Sequence, residues 1–156
     1  MELLNIVNGC IEMEKAVASI YGFFMQLFPE ERPFWEDLFK DEMQHQSWLM
    51  DSHFFESIDL LPSTDILPSM ELIKSSLQIA ADTSRRIKSG PVTLEEALKT
   101  ALRLEKLMVE TFANELMANV FASGYQSLGE KILFAERLHI GKIEDMMIER
   151  GFLQLS

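Results

Sequence analysis

An all-α fold is what this sequence predicts, with four long amphipathic helices in two antiparallel hairpins joined by a long crossover that carries a further helix. Three observations lead there. Apolar residues recur at steps of three and four from Leu3 to Phe28, Leu38 to Leu49, Leu94 to Phe112 and Ile132 to Met146, the period of a helix with one buried face. Glycine and proline are sparse, 7 and 5, against 10 Met and 11 Phe, which suits a helical bundle better than a turn-rich β fold. The length of 156 residues fits a single domain, 1–156, with a substantial core.

The first helix is expected from about Leu3 to Phe28, where Pro29 stops it. The second begins near Pro33, a residue suited to a first helical turn, and continues to about Ser57. Between Leu61 and Ser69 the residues Pro62, Ser63, Thr64, Asp65 and Pro68 are turn chemistry. A helical segment then spans Met70 to Lys88 and ends at Ser89-Gly90-Pro91. The next helix opens with a capping box, Thr93-Leu94-Glu95-Glu96, and ends near Ser123-Gly124. The last opens with Ser127-Leu128-Gly129-Glu130, a second box, and ends at Gly151. The first-to-second and last two connections are short, so each pair forms a hairpin, whereas the middle connection can cross the bundle.

Charge removes several function classes. With 25 acids against 14 bases and a formal net charge of −11, the chain lacks the clustered cations that nucleic acid or an anionic membrane surface requires. No stretch approaches the roughly 18 uncharged residues of a membrane span, and the start has no basic region before an apolar run, so a cytoplasmic location is expected. The single cysteine, Cys10, excludes an internal disulfide and the Cys-x-x-Cys pairs of a rubredoxin-like iron centre or a zinc knuckle.

The apolar stripes are interrupted by acids and histidines in register. Glu14 falls on the stripe Leu3, Val7, Cys10, Val17, Tyr21, Phe24, Phe28; Glu42 and His45 fall between Leu38 and Leu49. Glu105 falls between Ala101 and Met108, and Glu136 and His139 between Ile132 and Ile143. Four carboxylates and two imidazoles therefore point inward from four helices. An ionised carboxylate buried without a partner costs more than a small domain's whole stability. No core-facing Lys or Arg is on offer, so divalent metal is the economical counter-charge; the alternative is buried carboxylate–imidazole pairs with no metal. The i, i+3 spacing of Glu42 with His45, and of Glu136 with His139, puts both side chains on one face. Hard carboxylates with imidazole favour iron or manganese over structural zinc.

The two hairpins read as copies of one unit. Glu14-Lys15 matches Glu105-Lys106 at a separation of 91 residues, Tyr21 matches Phe112, and Glu42 with His45 match Glu136 with His139 at 94. Such a repeat predicts a pseudo-two-fold axis with equivalent metal positions across it.

A lone Glu on each of two helices with Glu-x-x-His on the other two resembles the ferritin-like di-iron carboxylate bundles. The Glu-Lys pair followed by Tyr21 or Phe112, and then Glu-x-x-His, resembles the di-iron domain of the rubrerythrin family over nearly the whole chain. The resemblance implies a ferritin-like four-helix bundle holding two iron ions, with manganese or zinc as substitutes. Glu42 and Glu136 would bridge, Glu14 and Glu105 would be terminal, and His45 and His139 would serve one ion each. The implied activity is Fe(II) oxidation coupled to reduction of hydrogen peroxide or dioxygen in oxidative-stress defence. A ferroxidase in iron handling, a di-iron oxygenase and a metal-binding interaction module without turnover are the alternatives. Two departures stand out. Met108 occupies the place of an additional Glu found in rubrerythrins, leaving a six-ligand set more like bacterioferritin's, and the rubredoxin tail is missing. Electrons would come from a separate donor protein.

Tyr21, two turns beyond Glu14, is a candidate to hydrogen-bond a ligand or donate an electron, the alternative being a core tyrosine with a satisfied hydroxyl. Asp41 either orients a metal-bound histidine or belongs to the solvated surface. Cys10 is expected to be an inert buried thiol, and His53 a surface or cap histidine. Removal of Glu105 is expected to relieve repulsion in the metal-free protein. Finally, Phe23, Phe24, Phe34, Trp35, Phe39, Trp48, Phe54 and Phe55 exceed what one stripe can bury, which predicts a two-fold homodimer, the alternative being a thick core packed by the helix Met70 to Lys88.

Overall fold

Pro29 ends the first helix as expected. In the computed structural model, which describes residues 2–50, 70–108 and 126–153, with side chains except those of 2–4, 6, 7, 48 and 126–136, α1 runs Glu2–Leu27 and a short 3-10 turn, Pro29–Glu31, leads into α2, Arg32–Leu49. Then come α3, Met70–Lys88, α4, Leu94–Met108, and α5, Gln126–Glu149. Among the described residues there is no strand, and the fold is all-α. No helix among them is long and apolar enough to cross a membrane.

The helices α1 and α2 pack antiparallel along their length. Near the turn Phe24 lies 4.8 Å from Trp35, ring centre to ring centre, and further along Glu14 meets His45. Trp35 is fully buried among Tyr21, Phe24, Phe28 and Phe34. Phe24 is buried too, and Phe23, Phe34 and Phe39 pack partly buried against the core. These four Phe rings and Trp35 are thus used within the chain, which narrows the surplus predicted for a homodimer. The side chain of Trp48, and Phe54 and Phe55, lie outside the described residues, as do His53, Phe112, the expected turn at 61–69 and the expected ends of the second and fourth segments.

α3 lies against α1. The backbone of α1 comes so close at Gly9 that an added Cβ would stand 2.5 Å from Ile73 Cγ2, and Ile73 is buried. The capping box at the start of α4 forms as read: Glu96 N–H donates to Thr93 Oγ1 at 3.1 Å, and Thr93 N–H donates to Glu96 Oε2 at 3.2 Å. α5 packs on α4 and ends in a left-handed Gly151 with φ of 77°. There Phe152 N–H reaches the Met147 carbonyl at 2.8 Å and Gly151 N–H that of Ile148 at 3.0 Å, the paired bonds of a Schellman cap.

Two local readings are corrected. Ser127 is already inside α5, so it is not the residue that caps it. The inward stripe of α5 continues from His139 and Ile143 to Met147, which is 2% exposed, while Met146 is only partly buried. A step of four rather than three keeps pace with the helix there.

Candidate metal centre

Five of the six predicted side chains meet in the interior. Glu14 comes from α1, Glu42 and His45 from α2, Glu105 from α4 and His139 from α5, and all five are essentially inaccessible to solvent. They form two triads, Glu14 with Glu42 and His45, and Glu42 with Glu105 and His139; within each, one donor atom per residue lies within 4.8 Å of the others. Glu42 belongs to both. The sixth, Glu136, is on α5 one turn before His139, and its side chain lies outside the described set.

His45 Nδ1 stands 3.6 Å from Glu14 Oε2 and 3.5 Å from Glu42 Oε2. His139 Nδ1 stands 3.0 Å from Glu42 Oε1 and 3.2 Å from Glu105 Oε1. The two imidazoles are stacked, 5.2 Å apart and 24° from parallel. Both Nδ1 atoms thus face carboxylate oxygens, as imidazole nitrogens do in a mixed Glu/His metal site.

The surrounding groups hold these side chains in place. The Tyr21 hydroxyl donates a 2.6 Å hydrogen bond to Glu105 Oε1. His139 Nε2 lies 2.9 Å from Asp41 Oδ2, and Lys142 Nζ lies 3.7 Å from the same oxygen. Asp41 therefore orients a histidine, but it is one on α5 and not its neighbour on α2. Lys142 was not anticipated; its spacing of three from His139, on the same face, is the signal that was there to read. Glu105 is also a structural partner of Tyr21 and His139, so its removal would cost those bonds in the metal-free protein, contrary to the expected relief of repulsion.

Electrostatics show what the metal-free site lacks. The described neighbours of the Glu14 and Glu42 oxygens are the two imidazoles and each other, and among the described residues no lysine or arginine pairs with either. Burial, reinforced by the charge of Glu42, pushes the Glu14 carboxyl up to about 8. Burial works against a charged His139, but hydrogen bonds and charges from Glu105 and Glu42 outweigh it and raise the imidazole to about 11. A proton on Glu14 and another on His139 then offset two of the three described carboxylates. Cys10 is fully buried one turn before Glu14, and burial followed by that carboxylate's charge pushes its thiol up, so it stays protonated and unreactive.

No family model, no curated protein and no solved structure matches the chain.

Proposed function

We propose that the protein is a di-iron carboxylate oxidoreductase of rubrerythrin type, built on a ferritin-like four-helix bundle, that couples Fe(II) oxidation to reduction of hydrogen peroxide or dioxygen. One observation carries the reading: Glu42 is shared by two buried Glu/His triads whose Glu14 and Glu42 carboxylates no lysine or arginine among the described residues answers. Carboxylate and imidazole donors suit iron or manganese, and four carboxylates, Glu136 included, would neutralise two divalent ions.

In this reading Glu14, His45 and Glu42 would hold one ion and Glu105, His139 and Glu42 the other, with Glu136 as the sixth ligand. Two ferrous ions held there would supply the two reducing equivalents that peroxide reduction needs. Tyr21 fixes the carboxylate of Glu105 through its hydroxyl, and it is the side chain best placed to give up an electron beside the site. Asp41 fixes the ring of His139 at Nε2. Because Asp41 is 42% exposed, the same contact offers protons a path between solvent and the site.

A ferroxidase role in iron handling is the second reading, favoured by Met108, fully buried where rubrerythrins carry a further carboxylate. A homodimer and a separate electron-donor protein belong to either reading; exposed Met43, Met50 and Leu138 support self-association. Stopped-flow mixing of the anaerobic ferrous protein with peroxide and with oxygen tests the activity. Faster oxidation by peroxide supports the rubrerythrin-type reading, continued turnover of excess Fe(II) with oxygen supports the ferroxidase, and inertness toward both overturns the redox function.

A further inference from the structure

On the far side of α4 from the metal centre's ligands the chain gathers cations, against its overall charge. A cleft of about 490 Å³ opens between the end of α3 and the first half of α4, with Arg86, Lys99 and Arg103 among its walls. Its floor is apolar, with Ile87 and Thr100 buried and Val92 partly so. A second hollow of about 370 Å³ shares both arginines.

The charges around the cleft are unevenly answered. Acids outnumber bases 25 to 14 in the chain, so carboxylates to satisfy every arginine are plentiful. Yet among the described residues Arg86 and Arg103 pair with none of them. Two acids are near: Glu96, on the cleft wall itself, accepts from the Thr93 N–H in the capping box, and Asp82, on the wall of the second hollow, pairs with Arg85; the cleft's cations still outnumber its acid three to one. Lys99 is held by Glu95 at 3.1 Å. Arg103 donates to Thr83 Oγ1 at 3.3 Å, which restrains its guanidinium without neutralising it. Two guanidinium groups on one cleft, that of Arg103 restrained by Thr83, beside the apolar Ile87 and Val92 are suited to an oxyanion attached to an apolar body.

The geometry points to a binding site in this cleft for a small organic anion, a phosphate or carboxylate headgroup held by Arg86 and Arg103 with its apolar part against Ile87 and Val92. The cleft uses none of the metal-site side chains, so its test is independent of iron. Hexyl phosphate, hexanoate and inorganic phosphate are titrated calorimetrically into the full chain, alongside Arg86→Gln, Arg103→Gln and the control Arg85→Gln. Hexyl phosphate or hexanoate should bind more tightly than inorganic phosphate, and each of the first two substitutions should weaken it about tenfold, the loss of one charged hydrogen bond. Arg85→Gln should change it by less than about twofold, since that arginine is already paired. Equal affinity for the alkyl anions and inorganic phosphate would overturn the assignment, as would insensitivity to Arg86 and Arg103. Binding of a polyglutamate peptide without binding of the small anions would overturn it too, and would give the face to an acidic protein partner. Circular dichroism of each variant confirms that the helices are intact.

Discussion

The hydroxyl of Tyr21 on α1 donates to Glu105 on α4 across 2.6 Å of buried space. That bond ties the first hairpin to the second through a side chain of the site itself. Tyr21→Phe keeps the ring against Trp35 and removes only the donor. It should lower stability by about 1–3 kcal/mol, the cost of a buried acceptor losing its partner, which thermal denaturation reads as a fall of about 2–4 °C per kcal/mol. Two metals should still bind, with weaker affinity for the ion held by Glu105. An unchanged melting temperature would mean that the bond contributes nothing.

Asp41 meets His139 at 2.9 Å and so fixes the ring that faces Glu42 and Glu105. Asp41→Ala should weaken one of the two metal positions by about 10–100-fold, as loss of a ligand's outer hydrogen bond does. Asp41→Asn, which keeps an acceptor oxygen, should recover most of that loss. A titration with two equal tight phases in Asp41→Ala would contradict the assignment.

The metal-free protein should lose stability as pH rises. Glu14 is raised from 4.5 to about 8 and His139 from 6.5 to about 11, so the folded state binds more protons than the unfolded one across both intervals. Stability therefore falls with pH there, and both groups contribute between 6.5 and 8. Metal reverses the preference, because it displaces those protons and binds more tightly as pH rises. Melting curves of metal-free protein from pH 5 to 9, with Glu14→Gln for comparison, provide the check. The variant should be at least as stable as the parent without metal and flatter with pH, and it should bind metal less tightly. A parent melting temperature that climbs with pH would contradict this.

At Gly9 the backbone of α1 lies close against α3, and an added Cβ would stand 2.5 Å from Ile73 Cγ2. Gly9→Ala gains up to about 1 kcal/mol of helix propensity but overpacks a β-branched side chain, which typically costs about 1–3 kcal/mol. The net effect should be destabilising. In the double variant Gly9→Ala/Ile73→Ala the clash disappears, so the cycle should show favourable coupling. A stabilised Gly9→Ala would mean that α3 yields freely.

Periodicity made much of this legible. The steps of three and four placed Glu14, Glu42, His45, Glu105 and His139 on buried faces, and that is where they lie. Capping chemistry placed the start of α4, and turn chemistry the end of α3, because those signals are local. What periodicity cannot give is the rotation and offset of one hairpin against the other. Asp41 illustrates this: its position beside Glu42 was plain, but its partner is 98 residues away on α5. Trp35 looked like surplus for the same reason, since the pocket that takes it is assembled from α1 and the turn as well as α2. At α5, Ser127 had the composition of a cap, but the helix already runs through it; composition marks where a helix can begin, and neighbouring structure decides whether it does.

Anaerobic titration with Fe(II), followed by Mössbauer and X-ray absorption spectroscopy, tests the central claim most directly. The account predicts two ions per chain, held by carboxylate and imidazole donors and separated by about 4 Å. A single isolated ion, or none after reconstitution, would contradict it.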